Sequence, residues 1–372
     1  MSLSLRARRA PLLEPRPVWL NPFFTVSTHR ITLRHIAERF GCSRATVSLA
    51  LSDHPRIRPD VRRRVRELAE QMGYRPDPTL SMIGRSRFSL PSSACRAAFA
   101  YLVDTREPQE WRRLLQFRYL DAARRRAAEL GYTLEKFDLA GYGSGEAASN
   151  VLHHRGVEGV IIPQMSPGVG PMLRHAGWER FVIVGSMLGW VNTPYHTVRR
   201  DVFNDFRRLW QEAVSRGYRR IGGAVFQHDP IAQDDYSRYG AAVAMQRQLV
   251  PARRRVPLFM GPPREETAAA FITWVKKHRP DAIVSFIESP HHWLTRAKFR
   301  VPEDIAFACA SVDPKSPQLT GVAAMHEEVG EAAIDFLVSH LQHHHRGIPA
   351  IQQVLLLEGR WIEGVTLPRA TT

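Results

Sequence analysis

"GCSRATVSLAL", residues 41–51, opens on a glycine and a helix-capping serine, passes through an arginine, and closes in a small, β-branched, apolar run. Upstream, "TLRHIAERF" (32–40) sets Leu33, Ile36, Ala37 and Phe40 on one helical face, with Thr32 in the N-cap place. Gly41 ends that helix, as a residue free to adopt positive φ does. Ser43 caps a second helix, 44–51, with Val47 and Leu51 turned inward. Downstream, "SDHPRIR" leads through Pro59, at a favoured first-turn place, into "DVRRRVRELAEQMG", whose stripe is Val61, Val65, Leu68, Ala69 and Met72. Two helices joined by a tight glycine turn, with a third behind them, make a helix-turn-helix unit.

The residue types suit a groove. Ala37 is small enough for close helix contact, and Thr46 and Ser48 offer hydroxyls on the outward face. Short donors on an unencumbered helix are what phosphates and base edges require. A plain helical hairpin in a globular core explains the periodicity, but not the register T-L-x-x-I-A-x-x-x-G-x-S-x-x-T-V-S.

Charge points the same way. The 372 residues carry 52 Lys+Arg against 36 Asp+Glu, a net charge of +16. Residues 1–90 hold 17 arginines, no lysine and seven acids, and so carry +10 of that excess. A clustered basic balance is the footprint of a polyanionic partner. The preference for Arg over Lys also fits a GC-rich genome, which does not account for the clustering. Cys42, Cys95 and Cys309 share no metal or redox spacing, which suits a reducing cytoplasm. No stretch has the length of a signal peptide's apolar region or of a membrane span, so a cytoplasmic, nucleoid-associated protein is expected. Residues 1–28 read as a disordered basic tail, or as the product of a start codon assigned upstream of a true one at Val26. "YRPDPTLSMIGRSR" (74–87) reads as a linker able to form one or two helical turns.

From Ala97 onward the rhythm is strand–helix–strand. Strands are expected at 97–103, 132–139, 157–163, 180–186, 219–226, 280–287 and 303–310, with a single late strand at 352–361. Helices are expected at 116–131, 203–218, 239–248, 268–278 and 327–343. Alternating βα over such a length predicts parallel sheets covered on both faces, divided into two Rossmann-like lobes.

The stretch "ITLRHIAERFGCSRATVSLALSDHPRIRPDVRRRVRELAEQMGYRPDP" resembles the DNA-binding headpiece of the LacI/GalR family of bacterial transcription regulators. Residues 97–368 are similar to that family's periplasmic-binding-protein-like (type I) effector domain, with "VPEDIAFACASVD" and "SPQLTGV" at matching places. The resemblance covers about nine-tenths of the chain and is more specific in the headpiece. It implies an all-α headpiece over 29–76, a hinge helix and linker over 77–94, and an α/β effector and dimerisation domain over 95–372. Lobe 1 is expected at about 95–195 and 320–345, lobe 2 at about 196–319 and 346–372.

Residue by residue, the resemblance implies that Thr32, Ser43, Thr46 and Ser48 contact phosphates and that Arg44, Ala45 and Leu49 face base edges. Leu33 joins this DNA-binding set, and Tyr74 approaches the backbone near the hinge. Ile83, within the hinge-like segment 78–84, stands where the family wedges a leucine into the minor groove. Leu49 stands where many members carry a guanine-reading arginine, so Arg44 is the candidate for the main specific contact. Asp77 and Leu80 are further departures, and an operator unlike the family's common one is expected.

The resemblance implies a ligand between the lobes, held by an Asp, an Arg and an Asp or Asn. Asp201 matches the first; Arg238 is offered for the second, although aligning on Gly240 puts Ser237 there. Asp313 lies three residues late for the third, and Ile287 and Glu288 replace a usual Asn-Asp, followed by His291, His292 and Trp293. Trp293 is the aromatic candidate. Sugars are the family's commonest ligands, so a sugar or related metabolite is expected.

"GYGSGE" has Glu146 where a dinucleotide loop needs glycine, and "HLQHHHRG" (340–347) reads as a solvated helix end rather than a metal site. No nucleophile elbow or paired-carboxylate signature stands out, so neither enzymatic activity nor a cofactor is expected. The expected function is a regulator, in repressor form, that binds a palindromic operator as a homodimer. No leucine heptads follow the last strand, which predicts nothing larger than a dimer. The alternative is a small-molecule receptor without specific DNA binding.

Overall fold

The computed structural model describes residues 31–51, 56–72, 74, 97–107, 117–165, 167–174, 176–186, 194–229, 231–315 and 318–370. These fall into two compact units, within 1–91 and 92–372.

The first unit is three helices: α1 (Leu33–Phe40), α2 (Arg44–Leu51) and α3 (Pro59–Gln71). Its core is Ile36 and Ala37 from α1, Val47 and Ala50 from α2, and Val65 and Ala69 from α3, all buried. Leu33, Phe40, Leu51, Val61, Leu68 and Met72 pack around that core, so the 3.6-residue stripe read from the sequence is the packed face. Gly41 adopts φ 79° and returns its N–H to the Ala37 carbonyl at 2.9 Å, with Cys42 N–H on the same oxygen at 3.1 Å. A side chain at that φ would be strained, which is why a glycine makes the turn. Pro59 occupies the first turn of α3, where its missing N–H costs nothing.

The second unit holds two six-stranded sheets. β1 (Ala98–Val103), β2 (Thr133–Asp138), β3 (Val157–Ile162), β4 (Val182–Ser186) and β5 (His196–Arg200) join β11 (Val354–Leu357) in the order β11-β5-β4-β3-β1-β2, all parallel. α4 (Leu120–Glu129), α5 (Gly145–His154) and the short α6 (Gly170–Leu173) belong to this lobe, as does α11 (His326–Gln342). The second sheet is β12-β10-β9-β8-β6-β7. It comprises β6 (Ile221–Phe226), β7 (Phe259–Gly261), β8 (Ala282–Ser285), β9 (Ala306–Val312), β10 (Thr320–Ala323) and an antiparallel β12 (Trp361–Ile362). α7 (Val202–Ser215), α8 (Gln233–Leu249), α9 (Ala268–His278) and α10 (Ser289–Arg296) cover it. Apolar layers lie on both faces of each sheet, as parallel strands demand. None of the described helices is long and apolar enough to cross a membrane.

The lobe boundaries differ from those expected. Residues 196–200 form β5 in the first sheet and 320–323 form β10 in the second, the reverse of the expected division. The late strand 352–361 is two strands, β11 in the first sheet and β12 in the second. A strand's composition carries no record of its neighbours; pairing of β5 with β4 and of β10 with β9 decides the lobe of each. The chain therefore crosses between lobes three times, after β5, after β10 and between β11 and β12.

One contact at these crossings is tight enough to test. Gly321 of β10 has φ 153°, and a Cβ there would lie 1.8 Å from the Cys309 carbonyl oxygen of β9. Backbone cannot yield as a side-chain tip does. Gly321→Ala is expected to cost about 3 kcal/mol or more and to lower the melting temperature by roughly 6–12 °C in calorimetry. An unchanged melting temperature would show that β9 and β10 can separate cheaply.

Candidate DNA-binding surface and interlobe cleft

α2 starts with a built cap. Ser43 Oγ accepts the Thr46 N–H at 3.1 Å and lies 2.9 Å from Thr46 Oγ1. The cap leaves the helix N-terminus, with its positive dipole end, at the surface, which suits a phosphate. Ser43, Arg44 and Ala45 are exposed and Thr46, Ser48 and Leu49 half-buried, whereas Val47 and Ala50 fill the core. The side chains named for DNA contact therefore occupy the part of α2 that the core does not use.

The remaining headpiece candidates divide. Thr32 is exposed at the start of α1 and its backbone N–H donates to His35 Nδ1 at 3.2 Å. Leu33 and Tyr74 are half-buried against the core, so any contact they make is by their outer edges. Ile83, Asp77 and Leu80 lie outside the described residues. Two further headpiece contacts are present: Arg34 pairs with Glu38 at 2.8 Å, and the Arg64 guanidinium lies 5.4 Å from the Phe40 ring centroid.

At its carboxyl end β5 of the first sheet meets β9 of the second, and the region outside strand carboxyl ends is the usual place for a ligand in such sheets. Arg200, the last residue of β5, donates from Nη2 to Asp205 Oδ2 of α7 at 2.6 Å and to the Ala310 carbonyl of β9 at 2.6 Å. Asp205 Oδ1 in turn accepts the Gly359 N–H at 3.0 Å, on the segment between β11 and β12. Burial drives the Asp205 carboxyl up, against the pull of Arg200. A Cβ on Gly359 would meet Val322 at 2.1 Å and Asp205 at 2.5 Å, so the crossing is packed without slack. One buried ion pair thus ties together two of the three interlobe crossings.

Asp201 accepts the Asn204 N–H at 3.0 Å on Oδ1 and so caps α7, with Asn204 Nδ2 on its other oxygen. Arg238 is 4% exposed, pairs with Asp235, and lies 4.3 Å from the Phe286 ring centroid. Asp235 also accepts His228 N–H at 2.9 Å and Ala232 N–H at 2.8 Å. Burial alone would raise its carboxyl, but the His228 bonds and the Arg238 charge hold it at about 2. Asp313 is exposed and accepts the Lys315 N–H at 2.9 Å; Lys315 Nζ reaches Glu327 of lobe 1 at 2.8 Å.

Trp293 is placed differently from the expectation. It is 3% exposed, packed among Phe226 and Phe271, with its indole N–H on Glu265 at 2.9 Å. The register of α10 turns position 293 into the lobe 2 core, so the ring is a wall of that core rather than of the cleft. His340 also departs from the solvated reading: it is buried and stacks on His196 with centroids 3.9 Å apart, while His343, His344 and His345 are exposed. Burial and the neighbouring His196 lower its pKa to about 4.

Sequence reasoning missed the inner cluster of Arg199, Arg200, Asp205, Asp234, Asp235 and His228. Only the adjacent pairs of like residues, "RRD" and "QDD", hinted at it. It also missed the join between helix starts at the lobe 1 edge. There Arg118 Nη1 lies 2.8 Å from His326 Nε2, and Tyr119 OH lies 3.0 Å from His326 Nδ1. Burial first, then Arg118 and Arg200, lower the His326 pKa to about 4, so the imidazole is neutral at pH 7.

Comparison with known proteins places both units. No curated protein sequence matches the chain. The CelR transcriptional regulator in complex with cellobiose superposes with a TM-score of 0.54 at 18% identity, covering 91% of this chain and 100% of that one. The lac repressor dimer bound to operator and the anti-inducer ONPF gives 0.55 at 15% identity, covering 91% and 99%. A LacI-family regulatory protein from Chloroflexus aggregans gives 0.56 at 17% identity, covering 72% and 98%. At such identities the likeness establishes the fold. The periplasmic binding protein-like domain model matches residues 210–367. The model for bacterial regulatory proteins of the lacI family matches residues 32–77, the stretch in which the Ser43-capped helix stands on its three-helix core. The chain thus joins a headpiece matching the lacI family model to a periplasmic binding protein-like domain, and is a DNA-binding transcriptional regulator.

Proposed function

We propose that the protein is a cytoplasmic repressor that binds a palindromic operator as a homodimer and alters its operator affinity when a small molecule occupies the interlobe cleft. The capped, outward-facing N-terminus of α2 carries this reading. In it Arg44 reads a base edge, Ser43, Thr46, Ser48 and Thr32 hold phosphates, and Ala45 and Leu49 set apolar contact with the groove floor, with Leu33, Tyr74 and Ile83 at the margins. A helix-turn-helix reads a palindrome with two-fold symmetry, hence the dimer. Binding in the cleft shifts the lobes about the Arg200–Asp205 crossing, and that shift couples to the headpieces with a free energy of about 1–3 kcal/mol.

A sugar or related metabolite is the proposed effector, supported by the cobound cellobiose of CelR. Asp201, Arg238 and Asp313 are the proposed polar edges of its site. The role is regulatory rather than enzymatic, in keeping with the family of the headpiece.

Selection of bound sequences from random and genomic fragments by the purified full chain tests this. The expected result is one enriched palindrome of roughly 14–20 base pairs with half-sites about one helical turn apart. Affinity for it is expected to fall steeply, by about 10³-fold or more between 50 and 200 mM salt. Charge-driven binding with no enriched sequence would remove the regulator reading and leave a small-molecule receptor.

A further inference from the structure

Three arginines converge where the lobes meet. The Arg200 guanidinium, from lobe 1, lies 5.4 Å from the Phe286 ring centroid, and that of Arg238, from lobe 2, lies 4.3 Å from it. Arg199, next to Arg200 on β5, reaches across to Asp234 of α8, but its nearest nitrogen is 3.8 Å from Asp234 Oδ1. That is an ion pair without a hydrogen bond. The Nε–H groups of Arg199, Arg200 and Arg238 are all buried and make no hydrogen bond among the described residues. Buried guanidinium donors without acceptors are costly, and three in one cluster need an explanation.

The acids present do not supply it. Asp235 is engaged by Arg238, His228 and Ala232, and Asp205 by Arg200 and Gly359. Asp201 is turned to the N-terminus of α7. Asp234 is left, and burial pushes its carboxyl up toward the neutral form. Guanidinium groups stay charged throughout. Arg199 is the most exposed of the three, with 21% of its side chain exposed against 4% for Arg200 and for Arg238.

We infer that the effector is anionic, and that a carboxylate or phosphate group on it takes Arg199 from Asp234 at the cleft floor. The inference rests on the cleft being the effector site. It narrows a neutral metabolite to an acid or a phosphoester, whose flat or tripodal oxygens match the guanidinium fork.

Inorganic phosphate and acetate are the probes, added to the full chain and followed by melting temperature and calorimetric titration against chloride at equal ionic strength. Phosphate or acetate is expected to raise the melting temperature beyond chloride, with millimolar half-saturation. Arg199→Gln is expected to weaken that half-saturation at least tenfold and Arg199→Lys to restore part of it. Arg300→Gln, at an exposed pair with Asp304, is expected to leave it unchanged. A preference for phosphate points to a phosphoester and one for acetate to an acid. Equal responses to chloride and both probes, or an Arg199→Gln response like the wild type's, would overturn the inference. Operator binding is measured separately: loss of operator selection with anion binding intact removes the regulator reading alone.

Discussion

An Arg44→Ala protein is expected to bind the proposed operator about 30-fold more weakly or worse, and to lose preference at one base pair in each half-site. Arg44 is exposed on the first turn of α2, beside the Ser43 cap, and none of the headpiece core depends on it. A guanidinium reading guanine contributes about 1–3 kcal/mol of discrimination, and a two-fold complex makes the contact twice. Leu49 has no donor to replace it. Because the side chain stands off the core, the variant keeps the headpiece's melting behaviour, which separates lost recognition from lost folding. Measured with a library of single-base operator variants, the loss is confined to one symmetric position. Equal weakening at every sequence, with a shallower salt slope, would mean instead that Arg44 lies on a phosphate.

Asp205→Ala is the second large expectation, in the other unit. It strands Arg200, 5% exposed, beside the Ala310 carbonyl, and leaves the Gly359 N–H without its acceptor. Removing one partner of a buried pair costs about 3–5 kcal/mol, because the other charge stays buried and uncompensated. Removing both charges together costs less, since desolvation offsets much of what such a pair contributes. Denaturant unfolding of Asp205→Ala, Arg200→Met and the double variant therefore gives a large coupling, with the double variant the more stable of the three against either single change. Single variants within about 1 kcal/mol of wild type would show that water reaches the crossing and that the pair does not hold the lobes.

The headpiece was legible from residue types alone. Its stripe at Ile36, Ala37, Val47, Val65 and Ala69 is local and periodic, its turn needs Gly41, and its cap needs Ser43; each sits within a few residues of what it touches. The two-lobe architecture was legible as alternation of strands and helices. What could not be read was the partner of each strand: nothing within HTVRR, TGVA or VLLL names a neighbour, and only lateral pairing assigns β5, β10 and β11 to a sheet.

The effector region divides along the same line. Asp201 and Arg238 were singled out by chain position, yet the structure turns one to a helix cap and the other to Asp235 and Phe286. Trp293 is polar-tipped and near a strand end, but helix register places its ring in the core. By itself the sequence determined the helix-turn-helix, the two-lobed α/β class and the clustered positive charge of residues 1–90, because hydrophobic period, turn chemistry and charge are properties of neighbouring residues. The tertiary structure alone decided which arginine meets which aspartate across the crossings. At the Arg200–Asp205 crossing the Gly359 N–H meets Asp205 from 154 positions away, and no local pattern records a contact made by separate passages of the chain between lobes.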